Sequence, residues 1–127
     1  MFFASDNWAG AHPSISQNLT RHAEGFTSAY GSSALETKVK RTFNELFERD
    51  VAVYFVGTGT AANALALTAF NRPGGVSFCH REAHMIQDEC GAPQYFTGGA
   101  RLHAIDGALG RLDPANLTRE LARFPRD

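Results

Sequence analysis

The chain has 127 residues, 43% of them apolar and 20% charged, and a formal net charge of -1. That length and composition suit one folded soluble domain, and 12 basic residues scattered among 13 acidic ones form no stripe for nucleic acid and no basic amphipathic helix for a membrane surface. No apolar run approaches the roughly 18 residues of a membrane span. The opening MFFASDNWAG lacks the layout of a signal peptide, and two cysteines, Cys79 and Cys90, are too few for a disulfide framework. The expected location is therefore cytoplasmic.

In chain order, His12-Pro13-Ser14 and the polar run to His22 predict a short helix, with proline at an early position where its missing N–H does no harm. GFTSAYGSS (25–33) is a glycine- and serine-rich loop. Ser33-Ala-Leu-Glu36 has the spacing of a capping box, and Leu35, Val39, Phe43, Leu46 and Phe47 follow at helical intervals. VAVYFV (51–56) is short, β-rich and apolar, as expected of a strand covered on both faces. A helix over about 60–70 follows, then the turn NRPGG and a second apolar run, VSFCH (76–80). Strand, glycine turn, helix, turn and strand make a βαβ unit with parallel strands. ARLHAID (100–106) reads as a further strand, and Asp113-Pro114 opens a last helix with aspartate at the N-cap and proline at N1. No internal repeat, low-complexity tract or linker interrupts this order.

The turn VGTGTAANAL (56–65) joins the first expected strand to its helix. The first N–H groups of a helix have no internal partner and carry the positive end of its dipole, so phosphate is a natural guest there; a tight turn with a threonine N-cap is an equal reading of the pattern alone. A Walker A loop is excluded because no lysine follows the last glycine. A dinucleotide fingerprint fits loosely as Gly57-Thr-Gly59-Thr-Ala-Ala62, with Glu82 as a late partner for a ribose. The third reading is a phosphate cup for another cofactor, with Gly59 and Thr60 as donors.

CHREAHMIQDECGAP (79–93) is dense in reactive side chains. Cys79, His80, His84 and Cys90 suggest zinc, but no paired C-x-x-C or HExxH is present, and His80-Arg-Glu82 has only half of a deaminase signature. No metal site is expected. His84 follows the carboxyl end of an expected parallel strand, where open α/β sheets bind ligands, and the glycine turn follows the strand before it. Both could face one crevice.

Ser5-Asp6-Asn7, Tyr30-Gly31, TGTAANAL (58–65) and AHMIQDECGAP (83–93) together resemble, in the right order and over nearly all of the chain, low-specificity L-threonine aldolases and the related phenylserine aldolases of the β-eliminating lyase family. The resemblance implies part of the three-layer αβα large domain of the aspartate-aminotransferase type, fold type I, with a mainly parallel sheet. Residues 1–32 would be an N-terminal arm, short helix and loop, and 33–127 the first part of the large domain that binds the cofactor. It further implies a pyridoxal 5'-phosphate enzyme that cleaves β-hydroxy-α-amino acids to glycine and an aldehyde in a retro-aldol step, working as a homodimer or homotetramer on a small amino-acid substrate.

Carried over by residue, Thr58, Gly59 and Thr60 would bind the cofactor phosphate, and Asn63 would complete that pattern or steady the loop. Thr58 stands where many members have serine. His84 would stack on the cofactor ring and help handle the proton of the substrate β-hydroxyl. Ser5 would help fix the substrate carboxylate, with Tyr30 and Glu89 as further residues near the site; core packing for Tyr30 and a surface helix charge for Glu89 are the plainer readings. The lysine that links such a cofactor has no candidate here, since Lys38 and Lys40 lie on the polar side of the helix that begins near Ser33. The chain is accordingly expected to be a truncated part of an aldolase, inactive alone and with unpaired strand edges. A non-catalytic homologue and a nicotinamide-dinucleotide domain are the competing readings.

Overall fold

The computed structural model describes residues 8–124, which fall into two compact units divided between Val53 and Tyr54. Ser5 lies outside the described residues.

In the first unit, α1 (Pro13–Ala23) starts where expected. His12 is its N-cap and accepts the Ser14 N–H through Nδ1 at 3.2 Å, and Pro13 occupies the first turn. In α2 (Ala34–Phe47) the capping box forms in full: Ser33 Oγ accepts the Glu36 N–H at 3.2 Å, and Glu36 Oε2 accepts the Ser33 N–H at 2.9 Å. These bonds, the one from the Ser33 backbone foremost, hold the Glu36 carboxyl below its ordinary pKa. The helix ends at Glu48, in the left-handed region at φ 53°, whose N–H returns to Asn44 and Glu45 carbonyls. Asn44 then accepts the Val51 N–H through Oδ1 at 2.9 Å and so fixes the exit of the chain. Neither helix contains a buried residue.

The expected strand at 51–56 does not form. Its β-rich composition is an averaged preference for a paired, half-covered surface, and without a neighbour to complete a ladder it leaves Tyr54, Phe55 and Val56 exposed. The βαβ unit expected over 51–80 is therefore absent, and a different one takes its place. In the second unit α3 (Gly59–Phe70) is followed by β1 (Val76–His80), two short helices α4 (His84–Gln87) and α5 (Ala92–Phe96), then β2 (Arg101–Ile105) and α6 (Pro114–Leu121). β1 and β2 pair in parallel with Val76 opposite Arg101 and His80 opposite Ile105. The crossover between them carries α4 and α5.

α5 packs on α3, and the small Ala64 of α3 (1% exposed) lets it approach closely; Pro93 of α5 is fully buried. Thr97, at the end of α5, returns its hydroxyl to the Pro93 carbonyl at 2.7 Å. Cys79 and Ile105 form the buried end of the strand pair, and burial pushes the Cys79 thiol pKa up. α6 begins as the sequence predicts, with Asp113 Oδ1 accepting the Ala115 N–H at 2.9 Å and Pro114 in the first turn. It lies against β2.

Candidate functional site

The glycine turn is shaped by its N-cap. Thr58 is extended (φ -147°, ψ 158°), and its Oγ1 accepts the Ala61 N–H at 3.1 Å. The first bond along the helix axis runs from the Ala62 N–H to the Thr58 carbonyl at 3.1 Å. The N–H groups of Gly59 and Thr60 come before it and have no carbonyl of their own helix to bond. A Cβ added at Gly57 or Gly59 would meet nothing within 4 Å, so the space in front of this helix end is open. The hydroxyl hydrogens of Thr58 and Thr60 can add two donors to the two N–H groups. This is a fourfold donor set at the positive end of a 12-residue helix.

Twenty-six residues further along the chain, a carboxylate ties this helix to a histidine. Glu89 Oε1 accepts from Asn63 Nδ2 at 2.6 Å and lies 2.8 Å from His84 Nδ1. The Glu89 side chain is wholly buried, whereas the His84 side chain is 64% exposed. Burial alone would push the Glu89 carboxyl up, but the bonds from Asn63 and His84 and the charge of a protonated His84 outweigh it, so its pKa is held below the ordinary value. Its other oxygen, Oε2, is buried with no hydrogen-bond partner. The inward turn of Glu89 comes from two successive left-handed residues, Cys90 at φ 49° and Gly91 at φ 78°, which reverse the chain into α5. Gly91 adopts this conformation freely; Cys90 does so under strain. Because α5 packs on α3, the reversal brings Glu89 beneath Asn63.

His80 is held differently. Its Nδ1 accepts the Glu82 N–H at 3.1 Å and its Nε2 lies 2.9 Å from the Gly107 carbonyl, so both ring nitrogens serve the backbone at the end of β1. Glu82 itself is exposed. Among the described residues no cluster of three or more His, Cys, Asp or Glu side chains is placed to hold a metal ion.

The structure thus gathers Thr58, Gly59, Thr60, Asn63, His84 and Glu89 into one unit. Tyr30 belongs to the other unit, in the left-handed corner before Gly31 (φ 59°), with its ring exposed. Lys38 and Lys40 sit there too, on α2, with Lys40 in an exposed ion pair with Asp50 at 3.4 Å. The bond between Asn63 and Glu89 was not visible in the sequence, because nothing local links two residues so far apart. The signal for the reversal that makes it was present: Gly91 followed at once by Ala92-Pro93 marks a helix start.

An open helix N-terminus joined through a buried carboxylate to an outward-facing histidine, beside a parallel strand pair, defines the class as an α/β domain, in which such helix ends suit small anions. Comparison with known proteins narrows this class. The β-eliminating lyase family model matches residues 3–126. A low-specificity L-threonine aldolase of Pseudomonas aeruginosa is 38% identical over 125 residues, 98% of this chain and 36% of the relative. The low-specificity L-threonine aldolase of Pseudomonas sp. (strain NCIMB 10558) gives the same identity and coverage. Among solved structures, the Leishmania major threonine aldolase superposes with a TM-score of 0.86 at 26% identity, over 98% of this chain and 36% of its own. The chain belongs to the β-eliminating lyase family, and its fold is part of the α/β, fold-type-I domain. It spans about a third of the length of the relatives it matches.

Proposed function

We propose that this chain contributes the phosphate cup and the histidine of a pyridoxal-phosphate-dependent aldolase. The reaction assigned is retro-aldol cleavage of L-threonine, L-allo-threonine or a related β-hydroxy-α-amino acid to glycine and an aldehyde. The observation that carries this reading is the pairing, in one unit, of the open α3 N-terminus with a carboxylate-held, solvent-facing His84. The names of the relatives, all threonine aldolases, support the same reaction class.

The residues present fit the cofactor. A phosphate dianion needs several converging donors and room to enter; the Gly59 and Thr60 N–H groups and the Thr58 and Thr60 hydroxyls supply the first, and the absence of any atom near a Gly59 Cβ supplies the second. When bound, the cofactor supplies an electron sink for breaking the Cα–Cβ bond. The chain's own residues bind and orient. Thr58, Gly59 and Thr60 would hold the phosphate, His84 would stand on the ring side and accept the β-hydroxyl proton, and Asn63 and Glu89 stand behind His84. Ser5 and Tyr30 are assigned to the substrate side on the resemblance alone. The cofactor lysine is assigned to neither Lys38 nor Lys40, both of which lie on α2 in the other unit. Homo-oligomeric assembly and a cytoplasmic location belong to the same proposal; no helix among the described residues is long and apolar enough to cross a membrane.

Titrating pyridoxal phosphate into the chain, with absorbance as the readout, tests the cup. Weak, reversible binding is expected, displaced by inorganic phosphate and weakened about tenfold by Thr60→Ala, which removes one hydroxyl donor to a charged group. Release of glycine and an aldehyde from L-threonine by the native polypeptide tests the reaction. Tight NAD binding with no response to pyridoxal phosphate would overturn the assignment.

A further inference from the structure

Among the described residues, four histidines have a ring nitrogen within hydrogen-bond distance of a partner, and the partners dictate where the proton sits. His12 and His80 each accept a backbone N–H at Nδ1, which leaves the proton of the neutral ring on Nε2. His103 meets the Glu120 carboxylate through Nε2, which also puts the proton there. His84 alone meets a carboxylate through Nδ1. An ionised carboxylate can only accept, so Nδ1 of His84 must be the donor, and its neutral ring carries a lone pair on Nε2. Free imidazole side chains favour the opposite tautomer. From this arrangement we infer that Glu89, braced by Asn63, is a positioning residue that fixes His84 in the Nδ1–H tautomer and aims an unprotonated Nε2 at the ligand side.

Three features make the hold specific. Oε1 receives both donors, the Asn63 amide at 2.6 Å and the imidazole at 2.8 Å, so the carboxylate cannot rotate without breaking both bonds. The Glu89 side chain is fully buried, so water does not compete for Oε1, while the histidine it holds is open to solvent. Asn63 stands on the first turns of α3, three residues after Thr60, so the helix that offers N–H groups to an anion is the helix that braces the carboxylate. Under the function proposed above, the atom that takes the β-hydroxyl proton is therefore Nε2 of His84. The tautomer assignment rests on that reading only for the identity of the proton's donor.

The test is long-range proton–nitrogen NMR of the imidazoles in the full chain, without cofactor, at alkaline pH where the rings are neutral. His84 should show the Nδ1–H pattern, opposite to that of His80, which serves as an internal control of folding. Glu89→Gln should keep the Nδ1–H pattern, because its carbonyl can stay at Oε1 while its amide nitrogen takes the place of the unpartnered Oε2. Glu89→Ala should return His84 to a mixture dominated by Nε2–H, with His80 unchanged. Asn63→Ala should give an intermediate mixture, and an unchanged tautomer there removes Asn63 from the assignment. A predominantly Nε2–H His84 in the unaltered chain overturns the inference outright, whether or not Glu89→Ala folds. So does an Nδ1–H pattern that persists in a folded Glu89→Ala chain. Because no cofactor is present, these outcomes are independent of the pyridoxal-phosphate titration.

Discussion

The second unit contains two histidine–glutamate pairs of nearly equal length, 2.8 Å for His84 with Glu89 and 3.0 Å for His103 with Glu120, yet they are built for different ends. At the first pair the acid is buried and the histidine exposed. At the second, both side chains are partly covered, and the acid is shared with Arg123 at 2.8 Å. His103 is also packed edge-on against Phe78 and Phe124, with ring centroids 5.3 and 5.1 Å away, and these two rings meet each other at 5.2 Å, so the three form an aromatic cluster on the face of β2 that receives α6. Both acids are held below their ordinary pKa, Glu120 by the His103 bond first and Glu89 by its two bonds against burial. What separates the pairs is which partner is left facing solvent. A buried acid beneath an open imidazole leaves a ring nitrogen for chemistry, whereas a histidine packed into an aromatic cluster serves to fasten a helix.

The largest effect expected from this contrast is the cost of removing each acid. Glu89→Ala strips two donors of a buried charged acceptor and should cost about 2 kcal/mol in urea unfolding. Glu120→Ala should cost less, because Arg123 is exposed and can turn to water, and because the aromatic packing around His103 survives. Equal losses would erase the distinction between the pairs.

A smaller effect should appear in acid. A carboxyl with a lowered folded pKa contributes stability that is complete above its unfolded value and is lost as the pH falls through the folded one. For Glu89 the ordinary value is 4.5, so unfolding measured at neutral pH and then below that value should show a decline. Glu89→Gln, which cannot titrate, should flatten that decline, and a slope unchanged by the substitution would show that Glu89 does not contribute to it. Added salt should weaken the Glu120 cluster more than the Glu89 pair, since the exposed Arg123 is permanently charged and Glu120 is partly open to solvent, whereas Glu89 is wholly buried.

How much of this was legible in the sequence depended on the reach of the interaction. The caps were: Ser33 with Glu36, Thr58 before α3, and Asp113 before Pro114 all act within three residues and appear as expected. The strand at 51–56 was not, although its residues are as β-prone as those of 76–80. Val76–His80 is a strand because Arg101–Ile105 lies beside it, and no composition encodes that neighbour. The site divides in the same way. Thr58, Gly59, Thr60 and His84 could be singled out from local pattern and resemblance. Glu89 could be named too, but its burial and its bond to Asn63 follow from α5 folding back on α3, a tertiary event.

The smallest effect expected is also the one of opposite sign, and it bears on how the two pairs came to differ. Glu120 sits in regular helix, so its position needs no special backbone. Glu89 reaches its buried position only because the next residue, Cys90, takes a left-handed conformation that a side chain disfavours. The Cys90 side chain is exposed, so little packing is lost when it is removed. Cys90→Gly should therefore stabilise the chain by about 1 kcal/mol, with relief of the backbone strain outweighing the extra freedom of glycine when unfolded. The imidazole tautomer of His84 should be unchanged, since Asn63 and Glu89 stay in place. A destabilised Cys90→Gly chain would mean that the reversal is held by the cysteine side chain itself. In that case the strain argument would fail, while the contrast between a buried and a shared carboxylate would stand.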